Sequence, residues 1–199
     1  MKIQNEYTPN FGAKLISKPT AGKIIWPTDN CYCSEGVPFL EIEPQNANDI
    51  EVLKSIAKNW YKNLFAINIC RAACSIRNES KYYKNNKIYA LSSQNDKFEH
   101  LEPDKILGVV HVNSYSNGDL FIEHILAKSY APDIKKIPEY KGIGTAMLTA
   151  LKGLTNKIFC FPTNEEYVKE FYYKNGFIEY PPHSNNFVWY KDAIENFYR

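Results

Sequence analysis

Apolar and polar positions recur along the chain with two different periods, and the switches between them outline the fold. In PFLEIEP, residues 38–44, Phe39 and Glu41 alternate with Leu40 and Ile42, a two-residue period that predicts a short strand. The period then lengthens. Ile50, Leu53, Ile56, Ala57 and Trp60 fall at helical spacing within residues 47–63, with Asn48 or Asp49 placed to cap the helix. AINICRAACSI predicts a second helix over 66–76, and KIYALSS (87–93) and KILGVVHVNSY (105–115) read as strands separated by a polar loop. Asn117-Gly118 between β-rich runs predicts a two-residue hairpin turn joining strand 105–115 to strand 119–127, a register that sets His111 opposite His124.

The second half of the chain alternates strand and helix. Met147, Leu148, Leu151 and Leu154 predict a helix behind two glycines, KIFCF (157–161) a strand, and PTNEEYVKEFYYKNGF a helix. Thr163 and Glu166 fit a capping box at the start of that helix, and Gly176 suits the left-handed position after its end. FVWYK (187–191) is a last strand. Hairpins and helical crossovers in one chain predict an α/β fold with a mixed, mostly antiparallel sheet flanked by helices. Residues 38–199 form that domain, and residues 1–37 are an N-terminal extension with no motif, which could add an edge strand, cover the site or make a homodimer contact.

The stretch YKGIGTAML, residues 140–148, carries the first chemical signal. Glycine loses more freedom on folding than any other residue, so Gly142-Ile143-Gly144 before a helix needs either a tight turn or a close backbone approach. A helix N-terminus offers free N–H groups and a positive dipole end that suit a phosphate, and Lys135, Lys136 and Lys141 lie just before it. There is no Walker ending and no third glycine of a dinucleotide fingerprint.

Composition narrows the field. With 199 residues, 44% hydrophobic, the chain is large enough for one well-buried core. A net charge of +2 supplies no global field for nucleic acid, and no apolar run approaches a membrane span, so a cytoplasmic protein is expected. Five cysteines without an export signal are expected as thiols; Cys31 and Cys33 are too close for a zinc knuckle, and Cys70 and Cys74 share one helix face. His111 and His124 lack a third ligand in view, so no metal is expected.

The succession LFIEHILA, PEYKGIGTAML and EFYYKNGF, with these strands and helices between, resembles the GNAT superfamily of N-acetyltransferases over roughly residues 38–191. The resemblance implies acetyl-coenzyme A (acetyl-CoA) as co-substrate and direct transfer to the amine of a small molecule or peptide, without metal or covalent intermediate. It implies that backbone amides around Lys141, Gly142, Ile143, Gly144 and Thr145 hold the pyrophosphate. It further implies that the strand ending at Leu126 and Ala127 splays from its neighbour, that Tyr172 protonates the departing thiolate, and that Glu123 is the base. The types suit the chemistry, since a carboxylate can accept the amine's proton and a phenol can meet a leaving thiolate.

Asn164 lies one residue out of register with a pantetheine-contacting Asn of the superfamily, so it is either a coenzyme contact or a helix cap. Glu139 stands where the superfamily carries Gln or Arg, and residues 128–138 exceed the usual link. Tyr115, Tyr130, Tyr180, His183, Trp189 and Tyr190 are candidates for an acceptor pocket. Two other functions fit the same motifs: a non-catalytic acyl-CoA sensor or interaction protein, and a toxin-like acetyltransferase acting on charged tRNA through Lys135, Lys136, Lys141 and Lys152.

Overall fold

The computed structural model describes residues 12–24, 32–60, 63–128 and 140–192. Eight strands form one sheet: β1 (Lys14–Ser17), β4 (Phe39–Glu41), β5 (Asn86–Ser92), β6 (Ile106–Ser114), β7 (Leu120–Ala127), β9 (Lys157–Cys160), β11 (Phe187–Tyr190) and β10 (Ile178–Glu179), in that spatial order. Every pairing is antiparallel except β7 with β9, as expected for a mixed, mostly antiparallel sheet. Helices α1 (Ala47–Asn59) and α2 (Leu64–Arg77) cover one face and bury Leu53, Ile56, Ile69 and Ala73 against Ile88 and Val109. On the other face, α3 (Ile143–Lys152) and α4 (Glu166–Lys174) seat Met147, Leu151 and Tyr172 against Val110, Ile122 and Phe187. Among the described residues no helix is long and apolar enough to cross a membrane.

The described residues ahead of residue 38 enter two sheets. β1 extends the large sheet beyond β4, while β2 (Thr20–Ile24) and β3 (Tyr32–Gly36) form a hairpin that pairs with β8 (Tyr140–Lys141) in a second, three-stranded sheet.

Capping differs from expectation at two helices. Asn46, not Asn48 or Asp49, caps α1, its side chain accepting from the amides of Asn48 and Asp49. α4 begins at Glu166 behind Glu165 with no side-chain cap, so neither Thr163 nor Asn164 takes that role. Its C-terminus is as expected: Gly176 has φ 74°, its N–H donates to Tyr173 O, and the Phe177 N–H donates to Tyr172 O, the paired bonds that close a Schellman end. Leu154 lies past the end of α3 and is exposed.

Asp49 is left with a different task. Its side chain is 0% exposed and accepts the Glu43 N–H at 2.9 Å. Burial raises its carboxyl pKa to about 6, outweighing the Glu43 amide that lowers it, and the Glu43 charge adds to the rise. The folded state therefore takes up a proton between about pH 4 and 6 that the unfolded state does not, and stability falls as pH rises through that window. Asp49→Asn keeps an acceptor for Glu43 and removes the buried charge, a gain only partly offset by the lost helix-dipole interaction in the first turn. We expect it to flatten the fall, read as melting temperature against pH.

Candidate active site

The hairpin between β6 and β7 is where register and chemistry meet. The Gly118 N–H donates to Tyr115 O and the Tyr115 N–H to Asp119 O, with Gly118 at φ 86°, so the loop has three residues instead of the expected two. Leu120 then pairs with Ser114 and Ile122 with Val112, but His124 pairs with His111. Glu123 is the extra residue, a β-bulge. The longer loop and the bulge each shift the register by one in opposite senses, which is why His111 and His124 still face each other. The side-chain alternation slips with the register: Leu120, Ile122 and Ile125 pack toward α3 and α4, whereas Leu126 packs toward α1 and α2.

At the bulge β7 also leaves β9. Leu120 to Ile122 pair in parallel with Ile158 to Cys160, and no described pairing with β9 continues, although pairing with β6 runs on to Ala127. A cleft of about 430 Å³ fills the divergence. Ile122 and Ile125 of β7, and Phe161 and Pro162 after β9, make its apolar walls; Glu123 and Tyr172 both open into it. The structure thus brings the two residues proposed for catalysis to one cavity.

Their settings suit different protonation states. Glu123 is exposed, and partial burial raises its carboxyl pKa above the usual carboxylate value. Tyr172 is 4% exposed, held edge-on to Phe177 at 5.3 Å and beside Phe187 at 5.8 Å. Burial, with the neighbouring Cys160 adding to it, raises the phenol pKa well above its ordinary value, so it stays protonated. Burial pushes Cys160 up to about 12, with the Tyr172 bond pulling the other way, and it stays a thiol at neutral pH.

The opening glycines have two separate reasons. Gly142 stands at the N-cap of α3 with φ 75°, a conformation that L side chains avoid, and a Cβ there would meet nothing within 4 Å. Its carbonyl accepts from Ala146, and α3 has no side-chain cap, so the amides of Ile143, Gly144 and Thr145 have no partner inside the helix. Gly144 is a packing glycine: a Cβ would sit 2.9 Å from two ring atoms of Phe171 on α4. We expect Gly144→Ala to lower stability by roughly 1–3 kcal/mol through that clash, measured by thermal melting. The sheet of β2, β3 and β8 braces the residue before the turn: Lys141 pairs with Gly22, and the Tyr140 hydroxyl donates to Glu35 Oε2 at 3.1 Å.

The remaining expectations sort by position. Leu126 is half-buried in the α1/α2 core, Ala127 is exposed opposite Gly108, Ile143 is buried, and Lys141 and Thr145 are exposed. Asn164 is exposed in the loop before α4, outside the residues lining the cleft. Lys152 lies at the far end of α3, where its ammonium donates to Asn175 O and sits over the Phe177 and Trp189 rings. Trp189 and Tyr190 pair with Ile158 and Lys157, away from the Cys160 end of β9, and Tyr115, Tyr180 and His183 do not line the cleft. Cys31, Tyr130, Lys135, Lys136 and Glu139 lie outside the described residues. Besides Tyr172, Phe65, Phe161 and Tyr167 line the cleft, exposed positions that periodicity does not single out. No group of three or more potential metal ligands occurs among the described residues.

No family profile and no curated protein matches the sequence. Several solved structures align with the chain at low identity. A protein from Exiguobacterium sp. 255-15, provisionally assigned as an acetyltransferase, superposes with a TM-score of 0.49 at 13% identity, over 83% of this chain and 100% of its own. Spermidine N-acetyltransferase from Vibrio cholerae gives 0.46 at 12% identity, over 82% and 98%. The N-acetyltransferase PseH of Campylobacter jejuni, in complex with acetyl coenzyme A, gives 0.45 at 12% identity, over 75% and 95%.

Proposed function

We propose that the chain is an acyl-CoA-dependent N-acyltransferase, with acetyl-CoA as donor and a primary amine as acceptor. The observation that carries this is the cleft at the β7/β9 divergence, which joins a bulged carboxylate, a buried phenol and a strand edge that no described strand pairs in one cavity. The donor's arm would pair with the β9-facing edge of residues 123–127, and its pyrophosphate would meet the uncapped N-terminus of α3 behind Gly142.

In this reaction the amine nitrogen attacks the thioester carbonyl carbon while Glu123 takes its proton. The tetrahedral intermediate collapses with cleavage of the C–S bond, and the Tyr172 hydroxyl supplies the proton that turns the departing thiolate into a thiol. The phenol is restored from solvent. Because Cys160 is held as a thiol, it is a poor nucleophile, which favours direct attack in a ternary complex over an acyl-cysteine intermediate.

Calorimetric titration with acetyl-CoA, and with dephospho-CoA for comparison, tests the donor. Saturable binding is expected. Absence of binding at millimolar ligand removes the transferase and makes the glycines a structural turn only. Binding without thiol release for any amine leaves the acyl-CoA sensor.

A further inference from the structure

A second cavity, of about 560 Å³, lies on the α2 side of Glu123, and its chemistry differs from that of the apolar cleft. Amide side chains of Asn68, Asn86 and Asn113 and the phenols of Tyr82 and Tyr83 wall it, and Ala72 is the one aliphatic residue among its lining. Glu123 and His124 line both cavities, so the bulge stands between them.

The polar cavity has two formal charges, Arg71 on α2 and Glu123 in the bulge. His111 and His124 are neutral near pH 7: burial lowers both pKa values, that of His111 to about 4 with His124 adding to the effect. Arg71 is exposed one turn after Asn68 and forms no ion pair with any described residue. Neutral polar walls holding one unpaired cation and one anion match a ligand that carries one charge of each sign. A polyamine would set a further cation against Arg71, and an apolar amine would leave the amides of Asn68 and Asn113 without a ligand to bond, that of Asn86 being already joined to His111 through its oxygen.

Resting on the transferase function above, we propose that the acceptor is a small zwitterionic amine, an amino acid or close analogue, whose amino group faces Glu123 and whose carboxylate is held by Arg71. The planar guanidinium fork suits a carboxylate bidentately.

The test uses the full chain with acetyl-CoA and measures thiol release for matched trios: an amino acid, its decarboxylated amine and its carboxamide. In the best trio kcat/KM should be about 10- to 100-fold higher for the amino acid. Arg71→Ala should raise the KM of that amino acid by a similar factor and bring the three compounds level, with Arg71→Lys keeping part of the preference. The affinity for acetyl-CoA, followed by calorimetry on each variant, should not move. Equal or better turnover of the amine or amide overturns the proposal, as does a preference that survives Arg71→Ala, or acetyl-CoA binding with no amino acid accepted. Loss of acetyl-CoA binding by the unmodified chain instead overturns the transferase function itself.

Discussion

Glu123→Gln is expected to lower kcat by about two to four orders of magnitude while acetyl-CoA binds as before. Glutamine keeps the size of the side chain and the bulge geometry, and removes only the capacity to accept a proton. The pH profile separates this from a general loss of activity. With an acceptor whose own ammonium titrates near pH 9 or above, kcat/KM of the unmodified enzyme should fall as pH drops through the Glu123 pKa, which burial holds above the usual carboxylate value. Above that pKa the carboxylate is charged and competent; below it the base is occupied. In the variant this acid limb should vanish, leaving only the dependence set by the free fraction of the amine. An unchanged kcat with an unchanged limb would make Glu123 a solvated strand carboxylate whose place at the bulge is incidental.

That bulge shows how far the sequence could be read. The alternation in LFIEHILA identifies a strand, and Asn117-Gly118 a hairpin, but a bulge adds one residue without changing composition, and periodicity alone does not locate it. The pairing of His111 with His124 came out as expected only because the three-residue loop offset it. Elements with strong local signals were legible: the Ile and Leu stripe of α1 and the left-handed glycine at 176. Helix caps were less so, because Asn46, Asn48 and Asp49 all have the right chemistry, and the choice among them depends on where the preceding strand delivers the chain. For Gly144 the sequence leaves a turn and a close backbone approach both open, and the neighbour that requires it is Phe171 on α4, a tertiary contact with no local trace. Arg71 was missed for the same reason, since only the packing of α2 over β5, β6 and β7 sets it across a cavity from Glu123.

Tyr172→Phe is the sharper test of the site, because it deletes a single oxygen from a ring that the fold already holds in place. The ring packs against Phe171, Phe177 and Phe187 with centroids 5.2, 5.3 and 5.8 Å away, contacts that phenylalanine preserves. Losing the hydroxyl beside the Cys160 thiol should lower the melting temperature by a few degrees at most. If the hydroxyl protonates the leaving thiolate, kcat should fall by about 100-fold or more, with acetyl-CoA affinity within a few-fold of the original. The leaving group offers a further check, since a donor whose thiol is more acidic needs less help: an aryl thioester should recover much of the lost rate in Tyr172→Phe and gain little in the unmodified enzyme. A structural hydroxyl predicts the opposite pattern, a lower melting temperature with kcat intact and no leaving-group dependence. Burial makes the two roles compatible, because the environment that keeps the phenol protonated against Cys160 also keeps water from competing for the thiolate beside it.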